Sequence, residues 1–144
     1  MKILVLNGPN LNLLGERDAS VYGSETLADI EKLLKETFPD VKFRFVQSNH
    51  EGELIEAIHK ARTGTADGIM ANWGGFTHSS VAIHDALELL DKPKVEIHLS
   101  NIHAREEFRE RSITGKAMDG IITGFGVNSY VLGVNALQHL INKS

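Results

Sequence analysis

Apolar residues along this chain follow two alternating rhythms, short strand-like runs and longer stretches with helical spacing. Runs at about 2–7, 41–47, 68–72, 94–99 and 120–125 read as strands, rich in Val, Ile, Leu and Phe and bounded by Gly, Pro or Asp. Between them, Leu27, Ile30, Leu34 and Phe38 share one helical face, opened by a capping-box pattern at Thr26 and Asp29 and closed by Pro39. Leu54, Ile55, Ile58 and Ala61 mark a second helix. Val81, Ala82, Ala86, Leu89 and Leu90 mark a third, and Tyr130, Val134, Leu137 and Ile141 the last. Strands alternating with helices predict βα units around a parallel sheet. In the second strand Val41, Phe43 and Phe45 alternate with Lys42 and Arg44, so that strand is predicted at an edge. The expected architecture is an α/β fold: a flavodoxin-like, doubly wound five-stranded parallel sheet of order 2-1-3-4-5.

The fourth strand departs from its own pattern. A strand covered on both faces should be almost continuously apolar, yet Val95-Glu96-Ile97-His98-Leu99-Ser100-Asn101 places a carboxylate and an imidazole two residues apart, on one face. Buried, such a pair needs partners or a task. In a doubly wound sheet, ligands collect outside the carboxyl ends of the strands, where strand order reverses. The polar residues at those ends are Asn7, Asn10, Ser48, Asn49, Asn72, His98 and Ser100, with Gly124 after the fifth strand. The segment of about 8–24 is long for a connection in a compact domain and reads as a lid. Within it Arg17 and Tyr22 carry the useful chemistry, because a neighbouring guanidinium stabilises a phenolate and makes it a base.

Composition narrows the classes. With 144 residues, 42% of them hydrophobic, the chain is expected to form a single domain over 1–144. Without cysteine it has no disulfide, no thiolate nucleophile and no Cys-type zinc site. Fifteen Lys and Arg against 19 Asp and Glu give net charge −4, with no basic block, which argues against nucleic acid. No run spans a bilayer and Lys2-Ile3-Leu4-Val5-Leu6 lacks the signature of a secretion signal, so a soluble cytoplasmic protein without membrane partners is expected. Asn7 and Asn72 stand where a response-regulator receiver needs carboxylates, and Asn7-Gly8-Pro9-Asn10-Leu11-Asn12 lacks the hydroxyls of a flavin phosphate loop. No G-x-G-x-x-G follows a strand, and Thr114-Gly115-Lys116 is not a P-loop.

Five blocks carry a family resemblance: Asn7-Gly8-Pro9-Asn10-Leu11-Asn12-Leu13-Leu14-Gly15; Arg17 with Tyr22-Gly23; Gln47-Ser48-Asn49-His50-Glu51-Gly52; Thr77-His78-Ser79-Ser80-Val81-Ala82; and Glu96-Ile97-His98-Leu99-Ser100-Asn101-Ile102-His103-Ala104-Arg105-Glu106. Together they closely resemble type II 3-dehydroquinate dehydratase, over nearly the whole chain. The resemblance implies anti elimination of water from 3-dehydroquinate through an enolate, giving 3-dehydroshikimate without metal or other cofactor. It assigns Tyr22 as base, Arg17 as its activator, His98 as acid, Glu96 as the partner of His98, and Asn10 as the residue positioning a water at the enolate oxygen. Substrate contacts fall to Asn72, His78, Asp85, Leu99, Ser100 and Arg109. It also implies a homo-dodecamer, a tetramer of trimers. Ala19, Trp73, Phe76 and His84 depart from the family pattern, as does the segment Ile113 to Asp119.

Other readings stand beside this one. Glu96 with His98 is also what a satisfied structural pair looks like, Tyr22 a packing aromatic, His78 the start of a helix, and Asp85 a carboxylate on a solvated face. A non-catalytic binder of a polyhydroxy carboxylate would keep the same pocket. A metal-dependent hydrolase would need Glu96, His98 and His103 to converge on zinc, although their spacing follows no standard ligand pattern.

Overall fold

The computed structural model describes residues 1–143. Strands β1 (Lys2–Asn7), β2 (Lys42–Gln47), β3 (Gly68–Asn72), β4 (Lys94–His98) and β5 (Gly120–Thr123) form one all-parallel sheet. Their order is β2-β1-β3-β4-β5, the flavodoxin-like arrangement expected from the pattern. A single turn, α1 (Ala19–Tyr22), precedes the four longer helices α2 (Leu27–Thr37), α3 (Glu51–Thr63), α4 (Val81–Glu88) and α5 (Asn128–Lys143).

Alternation along the strands divides the core between the two sheet faces. Ile3, Val5, Met70, Val95 and Ile97 pack with Ile30 and Leu34 of α2 and with Tyr130, Val134 and Leu137 of α5. Leu4, Leu6, Ile69 and Ala71 pack with Leu54 and Ile58 of α3 and with Ile83 and Leu87 of α4. Each fully buried aliphatic side chain contributes about 1.5–3 kcal/mol relative to exposure. The capping box of α2 is formed, with Thr26 Oγ1 accepting from the Asp29 N–H at 3.1 Å and Asp29 Oδ2 accepting from the Thr26 N–H at 3.0 Å. β2 is an edge strand, with Lys42 and Arg44 exposed.

One expectation needs correction. The buried stripe of α4 and its exit is Ile83, Ala86, Leu87 and Leu90, whereas Val81, Ala82 and Leu89 are exposed. This helix is apolar enough to offer two stripes of helical spacing, and packing on the sheet selects one of them. β4 and β5 end at His98 and Thr123, within two residues of the expected ends, and the Gly124 and Gly126 N–H groups still bond to the carbonyls of His98 and Leu99 just beyond them.

The segment after β1 is tied down at its start. Leu11 and Leu14 are buried in the core around a short 3-10 turn, Leu11–Leu13, and beyond them the chain is largely exposed until α2. There Asp18 caps α1, its Oδ1 accepting from the Ser20 N–H at 3.0 Å, and Gly23 ends the turn at φ 79°, a left-handed angle that favours glycine.

Candidate active site

In-register pairing of β1 with β2 and β3 brings Asn7, Gln47 and Asn72 level at the carboxyl edge of the sheet. Gln47 Nε2 donates to the Gly8 carbonyl at 3.1 Å, and Asn49 Oδ1 accepts from the Asn10 N–H at 2.9 Å. These bonds hold Asn10 in a left-handed conformation, φ 69°, at the mouth of a cavity of about 160 Å³. Asn10, Arg17, Tyr22, Asn72, His78 and His98 line that cavity, with Leu99, Ser100, Arg105 and Arg109 completing its wall. A larger groove of about 380 Å³ between β2 and α3 lies elsewhere and contains none of these residues. The titratable groups converge on the smaller cavity.

β4 delivers the centre. His98 is buried at the cavity, and its Nε2 donates to Glu96 Oε2 at 2.7 Å, so that Nδ1 is the nitrogen left for a ligand. Glu96 is fully buried, on the sheet face that α4 covers, and it lies behind His98 rather than on the cavity wall. Three hydroxyls surround its carboxylate: Thr77 at 2.7 Å and Ser112 at 3.0 Å donate to Oε2, and Thr114 donates to Oε1 at 2.6 Å. Burial by itself raises this carboxyl. The His98 hydrogen bond and charge, followed by the Thr114 and Thr77 hydroxyls, outweigh that and hold it below its ordinary value.

His78 follows β3 on a 3-10 turn, Gly74–His78, and its Nδ1 donates to the Arg111 carbonyl at 2.8 Å. Burial keeps its imidazole below the ordinary value despite that bond, so the ring is neutral and Nε2 carries an accepting lone pair. Asn72 is held on both sides: Oδ1 accepts from the Gly74 N–H at 3.1 Å, and Nδ2 donates to Tyr130 Oη at 3.3 Å. Tyr130 in turn donates to Asn7 Oδ1 at 2.6 Å, and its complete burial pushes the phenol well up. One Asn72 N–H remains for a ligand.

The cations gather around Tyr22. Arg17 stacks on the face of its ring, with Cζ 3.7 Å from the centroid, and the Arg105 guanidinium lies 5.2 Å from the same centroid. Arg105 also donates to Ser100 Oγ at 3.3 Å, and Arg109 donates to Glu106 Oε2 at 2.6 Å.

Of the residues singled out in the sequence, Asp85 stands apart. It is exposed on α4, beside His84 at 3.2 Å, and does not line the cavity. The zinc set does not converge either: the His/carboxylate cluster among the described residues is His84, Asp85 and Glu88, while His103 is exposed. Ser48 and Asn49 serve the loop, Ser48 donating to Glu53 Oε2 at 2.8 Å. Thr77, Ser112, Thr114 and Arg105 were not singled out. Thr77 and Arg105 lie within motifs of the family resemblance, but hydroxyls 35 residues apart give no spacing signal.

Fold and site together define a flavodoxin-like α/β protein with a buried imidazole–carboxylate pair and a cation-rich pocket at the carboxyl ends of its strands. Residues 1–138 match the family model described as Dehydroquinase class II, and the chain belongs to that family. It is 51% identical over 146 residues to 3-dehydroquinate dehydratase of Rhizobium meliloti strain 1021, covering 99% of this chain and 97% of that one. It is 47% identical over 143 residues to the enzyme of the same name from Caldicellulosiruptor bescii, covering 98% and 99%. Among solved structures, type II dehydroquinase from Butyrivibrio crossotus DSM 2876 superposes with TM-score 0.93 at 41% identity, covering 96% of this chain and 97% of that one. The type II dehydroquinase from Propionibacterium acnes gives 0.90 at 37%, covering 98% and 96%.

Proposed function

We propose that this chain eliminates water from 3-dehydroquinate to give 3-dehydroshikimate, by anti elimination through an enolate. The observation that carries the reading is that Tyr22, stacked under Arg17, and His98, backed by Glu96, line the same cavity. Tyr22 as phenolate takes the proton from the carbon beside the ketone, and the electron pair moves onto the ketone oxygen. Arg17 stabilises the phenolate, and Asn10 positions a water at the enolate oxygen. As the enolate collapses, the carbon–oxygen bond to the leaving hydroxyl breaks and His98 Nδ1 supplies the proton that turns it into water. Tyr22 then holds a proton and His98 has lost one, and exchange with solvent resets both. Glu96 fixes the Nε2–H of His98 and favours the imidazolium that this step needs.

Neutral His78 Nε2 accepts from a substrate hydroxyl, the free Asn72 N–H donates, and Arg109 with the Leu99–Ser100 segment holds the carboxylate. Asp85 is unavailable to the cavity of its own chain. In a homo-dodecamer built from trimers its exposed carboxylate serves the site of a neighbouring copy, and Val81 and Leu89 beside it, 59% and 60% exposed, supply apolar surface for that contact. Sedimentation tests the assembly, and a monomer would remove this role for Asp85. A cytoplasmic site of action is part of this reading, and among the described residues no helix is long and apolar enough to cross a membrane.

Mixing the purified protein with 3-dehydroquinate should generate the ultraviolet absorbance of the conjugated enone, with and without chelator. Tyr22→Phe should lose nearly all of this signal while remaining folded. A fully active variant would overturn the assignment.

A further inference from the structure

The buried face of the His98–Glu96 pair is built as carefully as the face toward the cavity. Glu96 could have been satisfied by His98 alone on one oxygen and a single donor on the other. Instead Thr77, Ser112 and Thr114 converge on it from two loops separated by more than thirty residues, with Thr77 Oγ1 also 2.6 Å from Ser112 Oγ and 2.8 Å from Thr114 Oγ1. The loops are tied together around this point. The Ile113 N–H donates to the Thr77 carbonyl at 2.7 Å, and His78 Nδ1 donates to the Arg111 carbonyl at 2.8 Å. Ser112 Oγ already accepts the Gly115 N–H at 2.8 Å, which leaves its own proton to donate. With His98, the three hydroxyls give this buried carboxylate four hydrogen-bond donors. They are the surrounding that keeps it ionised.

Building on the dehydratase reading, we propose that Thr77, Ser112 and Thr114 are positioning residues for catalysis, which hold Glu96 as an aligned carboxylate so that His98 enters each turnover as imidazolium with Nδ1 toward the substrate. Hydroxyl groups have no charge of their own at working pH, so they set the charge of the pair without adding a competing one. The other titratable groups around the pair are His78 on the turn after β3, Arg105 and Arg109 after β4, Arg17 and Tyr22 on the lid segment, and Tyr130 on α5. None of these is an acceptor for the Glu96 cage, so removing a cage hydroxyl changes the pair and leaves them in place.

The test compares wild type with Thr114→Val, Thr77→Val and Ser112→Ala, and with Thr114→Ser and Thr77→Ser, which restore a hydroxyl. Turnover of 3-dehydroquinate is followed from pH 5 to 10, and thermal melts report folding. Wild type should turn over with a bell-shaped profile. Each hydroxyl deletion should lower kcat by about tenfold or more with little change in KM, and should move the limb that reports proton loss from the Glu96–His98 pair toward higher pH by about one unit, because the deprotonated pair loses a donor to its net negative charge. The Ser variants should restore both the rate and the position of that limb. A deletion series that loses rate or melting temperature with an unmoved limb would overturn the proposal, because that is what mere structural support produces. Should the valine variants fail to fold, half-buried Ser112→Ala decides alone, and an unmoved limb there counts against it. An inactive wild type would be a failure of the dehydratase reading itself, separate from these outcomes.

Discussion

His98 Nε2 donates to Glu96 Oε2 at 2.7 Å across two residues of one strand, with both side chains buried at the carboxyl edge of the sheet. Truncating one member of such a pair leaves the other as an uncompensated buried group. Glu96→Gln also turns an acceptor into an amide whose N–H groups face other donors. It should cost about 3–5 kcal/mol of stability in urea unfolding and lower kcat by about a hundredfold.

The same pair makes stability depend on acid. The Glu96 carboxyl lies below its ordinary value of 4.5 in the fold, so the unfolded chain binds more protons as pH falls through that range. The stability it contributes is complete above about pH 4.5 and is lost as pH drops through the folded value. Wild type should therefore show a steeper loss of unfolding free energy below pH 4.5 than Glu96→Gln, in denaturant titrations at several pH values. Equal slopes would mean that Glu96 is already neutral in the fold.

Arg17 meets Tyr22 through the ring face, with Cζ 3.7 Å from the centroid. A planar guanidinium stacks in this way and an ammonium does not, so Arg17→Lys is a severe change here. It should lower kcat by more than tenfold with a smaller change in KM. A lysine variant with wild-type kcat would show that any positive charge near the phenol suffices.

Tyr130 links the ends of β1 and β3, donating to Asn7 at 2.6 Å and accepting from Asn72 at 3.3 Å. Tyr130→Phe leaves both amides without that partner in a buried setting. It should destabilise the fold by about 1–3 kcal/mol and raise KM, because Asn72 loses the bond that orients its remaining N–H. An unchanged KM would separate the Tyr130 link from substrate binding.

Gly8 and Trp73 set the spacing at the same edge. A Cβ on Gly8 would clash with the Trp73 carbonyl oxygen, a backbone atom that cannot swing aside. Gly8→Ala should destabilise by about 1–3 kcal/mol and distort the cavity mouth. Trp73 is fully buried, and among the described residues its Nε1 is the buried side-chain donor without a partner. Removing that donor offsets part of the volume lost in Trp73→Phe, so this change should be much milder than Trp73→Ala, which should cost about 3–5 kcal/mol. Melting curves of the three variants check both statements.

Periodicity along the chain is enough for the five strands, the edge position of β2, the Thr26–Asp29 cap and the core faces of α2, α3 and α5, and the strand order follows once a flavodoxin-like doubly wound sheet is chosen for such a βα chain. Hydrophobic alternation and helix caps are local properties, and they leave few topologies for a βα chain. The anomaly of Glu96 and His98 was equally visible, since two polar groups on one face of a buried strand violate the pattern around them. Tertiary packing decided the rest. It chose Ile83 and Leu87 over Val81 and Leu89 on a helix apolar on both sides, buried Leu11 and Leu14 of the segment after β1 in the core, and left Asp85 outside the cavity of its own chain. It also gathered Thr77, Ser112 and Thr114 around one carboxylate and set Arg105 beside Tyr22. Those meetings depend on where two loops land once the sheet has formed, and no spacing within either loop encodes a distance to the other.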